Sequence, residues 1–162
     1  MLVLVLILFA IQHLSAELLI PMDLSQTDHL KAYGIAFYAL TKEIGVQWLL
    51  NYRGGSFLVQ DSQDVVNVCN IRGVRFQRIS AAELAEIYSV INESNMEIMI
   101  LEQEPKIAVY TPPNSLPWDD AVTLALTYAE IHYDKIWDEE VLGGALDNYD
   151  WLHLHHEDFT GQ

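Results

Sequence analysis

The chain has 162 residues, 51% of them hydrophobic and 10% aromatic, enough for one packed domain and too apolar for a disordered one. Eight Lys and Arg stand against 23 Asp and Glu, a formal net charge of −15; this argues against nucleic acid and anionic membrane surfaces, because phosphate contacts need cations. One cysteine, Cys69, excludes an internal disulfide framework and a cysteine-rich zinc site.

Met1–Ala16 (MLVLVLILFAIQHLSA) opens with an uncharged apolar run, Leu2–Ile11. The run is too short for a stable membrane span, which needs about twenty residues. Its position and the small residues Ser15 and Ala16 predict a signal peptide over 1–16 and an exported, periplasmic or extracellular, mature chain from Glu17. No basic residue precedes the run, and Leu14 stands where a small residue is expected, so a buried first strand is the competing reading.

From Glu17 onward, strand and helix patterns alternate. Leu18–Met22 reads as a strand, and a helix follows from about Thr27 to Glu43. Its stripe is Leu30, Tyr33, Phe37, Leu40 and Ile44, at spacings of three and four. Gly45 ends it. Val46–Tyr52 and Ser56–Val59 read as strands around the turn Arg53-Gly54-Gly55. Asp61 or Ser62 caps a helix through Asn70 that carries Val65 and Cys69 inward. Arg75–Ile79 is a further strand. Ser80-Ala81-Ala82-Glu83 is a capping box, in which hydroxyl and carboxylate satisfy each other's backbone amides. Leu84, Ile87 and Ile91 continue its helix, whereas Met96–Leu101 is ambiguous. Lys106–Tyr110 is a buried strand, Thr111–Pro117 a proline-rich loop and Trp118–Ile131 a helix with Asp119 and Asp120 in its first turn. Tyr133–Trp137 is a strand, Glu139–Leu146 a short helix and Tyr149–His155 the last strand.

Alternation with continuous apolar strands predicts an α/β fold with a mostly parallel sheet and helices on both faces. The chain stops just beyond a strand with no helix to cover it, so residues 17–162 read as the N-terminal part of a domain incomplete at its C-terminus.

Three groups of residues have chemical potential. In the first, His155, His156, Glu157 and Asp158 fall at the carboxyl edge of the last strand, where open α/β sheets bind ligands. Imidazole and carboxylate suit acid–base work or a divalent metal, but the spacing matches no metal signature, and mutual hydrogen bonding explains them equally. Pro112 lies in the second, the loop after Lys106–Tyr110. There Asp119 and Asp120 oppose anion binding, so the helix start is better read as capped than as a phosphate site. The third group comprises Asp23, as a helix cap or a pocket carboxylate, and Arg53, as a forked carboxylate donor. The two glycines beside Arg53 also suit a plain tight turn. Cys69 falls inside a helix with no strand–turn elbow before it and reads as a core residue. The sequence names no cofactor and no metal.

The segments PMDLSQTDHLKAYGIAFYALTKEIGVQWLLNYRGGSF, KIAVYTPPNSLPWDDAVTLALTYAEIHYDKIWDEEVL and YDWLHLHHEDFTGQ resemble the N-terminal part of a family of secreted bacterial proteins often labelled asparagine synthetase B. The resemblance spans essentially all of 17–162. It implies a class I glutamine amidotransferase-like, flavodoxin-like fold. No catalytic residue of either enzyme class maps onto this chain: Leu2 follows Met1, cleavage exposes Glu17, and Cys69 is not at an elbow. The expectation is therefore an exported domain binding a small molecule. A hydrolase or glutamine amidotransferase with its nucleophile beyond residue 162 is one alternative, and a module binding an envelope protein is the other.

Overall fold

Leu18-Leu19-Ile20 and Phe57-Leu58-Val59 are uninterrupted apolar runs, so strands built from them need cover on both faces. In a computed structural model describing residues 17–154, that cover comes from three helices around one antiparallel sheet. The elements are β1 (Glu17–Ile20), α1 (His29–Thr41), β2 (Val46–Leu50), β3 (Phe57–Gln60), α2 (Gln63–Arg72), β4 (Gln77–Ile79), α3 (Ala81–Glu93) and β5 (Glu97–Leu101). The strand order is β4-β1-β3-β2-β5, and every neighbouring pair is antiparallel.

The first four strands with α1 and α2 form a split β-α-β, ferredoxin-like arrangement. Strands β1 and β2, joined through α1, leave room for one strand between them, and β3 fills it after a tight turn. Period two sorts the side chains: Leu18, Ile20, Phe57 and Val59 pack with Ala32, Ile35, Ala39, Val65 and Cys69 of α1 and α2. Leu19, Leu58 and Leu49 face the other way and meet Ile87 and Ile91 of α3.

The remainder forms a second, smaller sheet. It comprises β6 (Ile107–Tyr110), α4 (Ala121–Ala129), β7 (Asp134–Ile136), α5 (Asp138–Leu142) and β8 (Trp151–Leu154). These three strands are parallel in the order β7-β6-β8. Ile107 and Val109 pack against Leu126 of α4.

The expected mostly parallel, flavodoxin-like, amidotransferase-like sheet is therefore incorrect. The larger sheet is antiparallel, and parallel pairing is confined to a separate sheet of three strands. Continuous apolar strands report burial on both faces, and helices on both faces of an antiparallel sheet produce the same signal. The connection Asn51–Ser56 between β2 and β3 is far too short for a crossover, which needs a dozen or more residues, so it can only be a hairpin.

Two helix readings also change. Trp118–Ile131 is not one helix: a 3-10 turn over Pro117–Asp119 precedes α4, and Asp120 is extended between them (φ −140°). The predicted Glu139–Leu146 helix is α5, interrupted at Gly144 (φ +82°), with a 3-10 turn over Ala145–Asn148 beyond it.

The two sheet units meet where α1 crosses α4. Gly34 makes this crossing possible, since a Cβ there would lie 1.9 Å from the Ala129 carbonyl oxygen. Glu130, in the left-handed region at the end of α4 (φ +59°), accepts from Arg72 Nη2 at 2.6 Å and faces Lys31 Nζ at 3.6 Å. Tyr128 of α4 donates its hydroxyl to Asp28, the N-cap of α1.

Candidate functional site

Asp23 and Arg53, thirty residues apart in the chain, come together beyond the carboxyl end of β1. Arg53 Nε donates to Asp23 Oδ2 at 2.6 Å, Nη2 to Ser25 Oγ at 3.1 Å and Nη1 to Gln77 Oε1 at 3.2 Å. Asp23 is not the cap of α1; Asp28 is, accepting from Lys31 N at 3.0 Å. The Arg53 and Ser25 donors hold the Asp23 carboxyl far below the usual carboxylate range. The turn carrying Arg53 is conformationally unusual: Asn51, Arg53, Gly54 and Gly55 all have positive φ. It is pressed so closely on the segment leaving β1 that a Cβ on Gly54 would lie 2.4 Å from the Met22 carbonyl oxygen. The Arg53 fork is thus engaged within the protein. It fixes the hairpin turn to β1 and frames a polar hollow of about 470 Å³ with Arg75 and Asn70.

Pro112 lies in the loop leaving β6, where its carbonyl accepts from Ser115 N at 3.0 Å. Beside it, Thr111 is 1% exposed, and its hydroxyl has no partner among the described residues. Asp120 caps α4, accepting from Val122 N at 2.8 Å and Thr123 N at 3.1 Å. His153 Nε2 of β8 donates to the same carboxylate at 3.1 Å. Burial opposes ionisation of Asp120, but the Thr123 and Val122 amides and His153 outweigh it and keep the group below its ordinary range. This is a carboxylate-oriented imidazole at the edge of the parallel sheet. His155, His156, Glu157 and Asp158 lie outside the described residues.

One apolar cavity was not anticipated from the sequence. It occupies about 540 Å³ between the two sheet units. One wall is an aromatic cluster: the Tyr33 ring meets Phe57 edge-on at 5.5 Å, and Trp48 stacks on Phe57 at 6.1 Å. Trp48 is held in place because Nε1 donates to the Gly55 carbonyl at 2.9 Å. Phe37 and Leu40 of α1 extend this wall over about 10 Å of helix. Opposite stand Ile107, Leu126 and Trp151 of the parallel unit. Tyr33 (42% exposed), Trp151 (45%) and Ile100 (72%) carry apolar surface to its mouth.

The apolar stripe of α1 held the signal for this cavity. Tyr33, Phe37 and Leu40 recur at helical spacing in that one stripe. The sheet takes the small residues Ala32, Ile35, Ala36 and Ala39 together with Leu40, which is buried in the same cluster and also lines the cavity. A helix that is apolar on two faces has two things to cover, and the larger residues line the cavity.

Comparison with protein-family models, with curated proteins and with solved structures gives no match for this chain.

Proposed function

We propose that this chain is an exported small-molecule-binding domain whose ligand occupies the aromatic cavity between α1 and the parallel unit. The cavity itself carries the reading. Its size falls in the range of small-ligand sites, and it sits where such sites concentrate, at the junction of two structural units. Its lining is apolar and aromatic with few polar groups, and part of its wall is held rigidly by the Trp48–Gly55 hydrogen bond. Export rests on the apolar leader 1–16. Among the described residues no helix is long and apolar enough to cross a membrane. Cys69 is not available as a nucleophile: burial pushes its thiol up to about 11, against a smaller opposing effect of Arg72.

Titrating the chain with a neutral fluorescent probe such as N-phenyl-1-naphthylamine tests the reading. Saturable binding is expected. Trp151→Ala, a change at a half-exposed wall residue, should weaken it about tenfold, as expected for removing an aromatic wall from an apolar site. Binding that is non-saturable, or unchanged in both Trp151→Ala and Tyr33→Ala, would overturn the cavity as the site.

A further inference from the structure

The charge in the cavity lining is one-sided. Among the described residues that line it, Glu102 is the only charged side chain. A second hollow of about 390 Å³ adjoins it at the carboxyl end of β5, sharing Leu40, Leu101, Glu102 and Gln103 and adding Glu43 and Glu104. One carboxylate therefore lines the apolar chamber and two more line the hollow that adjoins it, and neither lining contains a Lys or Arg. No ion pair to Glu43, Glu102 or Glu104 is found among the described residues; Arg53, Arg72, Arg78 and Lys31 are engaged elsewhere, and Lys106 lines a further hollow on the far side of Pro105 and Ile107 without pairing with Glu104. The chain's net charge of −15 adds a long-range field of the same sign.

Building on the cavity reading above, we infer that the ligand is an organic cation: an apolar or aromatic body bearing an amine or quaternary ammonium group. The body lies along Tyr33, Phe37 and Trp48, and the ammonium points to Glu102 and its neighbouring glutamates. Aromatic faces favour this choice independently of the carboxylates, because the ring quadrupole attracts a cation placed over it. An anion of the same shape meets Glu102 in the cavity and Glu43 and Glu104 in the adjoining hollow, with no cation in either lining, so the site discriminates by repulsion as well as by attraction. A bare metal ion does not fit, since no three acidic or imidazole groups among the described residues converge closely enough to hold one.

Calorimetric titration with three matched probes tests this: 1-naphthylmethylammonium, 1-naphthalenemethanol and 1-naphthoate. The cation should bind about tenfold tighter than the alcohol, and the carboxylate weakest, a spread that carboxylate attraction and cation–π contact together supply. The double variant Glu102→Gln, Glu104→Gln should reduce that preference to about threefold or less, while leaving alcohol binding unchanged. Trp151→Ala should weaken all three. Equal binding of the three probes, or a preference that survives the double variant, overturns the cation assignment and leaves the cavity standing. Failure of all three to bind overturns the cavity reading as well.

Discussion

Gly34 is the residue on which the relation between the two sheet units most depends. It stands in the middle of α1, where glycine is a poor helix former, so its presence needs a packing reason. The reason is the 1.9 Å separation that a Cβ would have from the Ala129 carbonyl. That oxygen belongs to a helix backbone and has no rotamer by which to move away. Gly34→Ala should therefore destabilise the protein despite its gain in helix propensity. We expect a loss of about 3 kcal/mol, the upper end of overpacking costs. The midpoint of thermal unfolding, followed by circular dichroism, should fall by roughly 6–12 °C. An unchanged or raised midpoint would mean that α1 and α4 do not touch at Gly34. Cys69 shows the opposite kind of residue: its place in the core was readable from its sequence setting alone, and its side chain is fully buried.

Asp120 joins three elements: it ends the 3-10 turn, starts α4 and receives His153 from β8. Asp120→Ala removes the cap and leaves two α4 amides and the imidazole without their acceptor. The expected loss is about 2 kcal/mol, the high end for an N-cap, because the site is buried. Urea unfolding should show the lower midpoint, and near-native stability would mean the cap is redundant. At this scale the sequence was informative about local chemistry. The Ser80–Glu83 capping box is present as read, with Ser80 N donating to Glu83 Oε2 at 2.7 Å and Glu83 N to Ser80 Oγ at 3.3 Å. Most strands and helices lie close to where their periodicity placed them. Strand direction was not legible from apolar runs, because burial on both faces erases the alternation that distinguishes the two sheet types. It was legible from the Arg53-Gly54-Gly55 turn, whose brevity forces the hairpin. The cavity was hidden for a different reason. Tyr33, Phe37, Trp48 and Trp151 each suit an ordinary core, and only the docking of the second unit leaves space between them.

For the whole molecule, the question is what holds the two sheet units around that space. The crossing at Gly34 is bordered by the Arg72–Glu130–Lys31 ion pairs and by the Asp28–Tyr128 bond, with Lys31 Nζ 5.0 Å over the Tyr128 ring. This last bond titrates at both ends. Burial works against ionised Asp28, but the Tyr128 hydroxyl and the Lys31 amide outweigh it and hold its carboxyl below the ordinary value of 3.8. Its contribution is thus complete above that value and is lost as pH falls through the lower folded one. Tyr128 shifts the opposite way, raised above 10.0 chiefly by its hydrogen bond to Asp28. Its contribution is complete below pH 10 and is lost as pH rises through the higher folded value, where a phenolate would confront a carboxylate. The bond is therefore intact from about pH 5 to 9 and fails at both extremes. Tyr128→Phe should lower the urea midpoint modestly at pH 7. The difference from the parent protein should shrink as pH falls below 3.8 toward the lower folded value of Asp28. It should shrink again as pH rises above 10.0 toward the higher folded value of Tyr128, where the parent loses the bond and the variant has no phenolate to repel. Probe affinity should follow the same profile, because a loosened junction widens the cavity between the units. A difference that stays constant from pH 3 to 11 would show that Asp28 and Tyr128 do not form the titrating link, and the ion pairs of Glu130 would then be the contacts that hold the cavity closed.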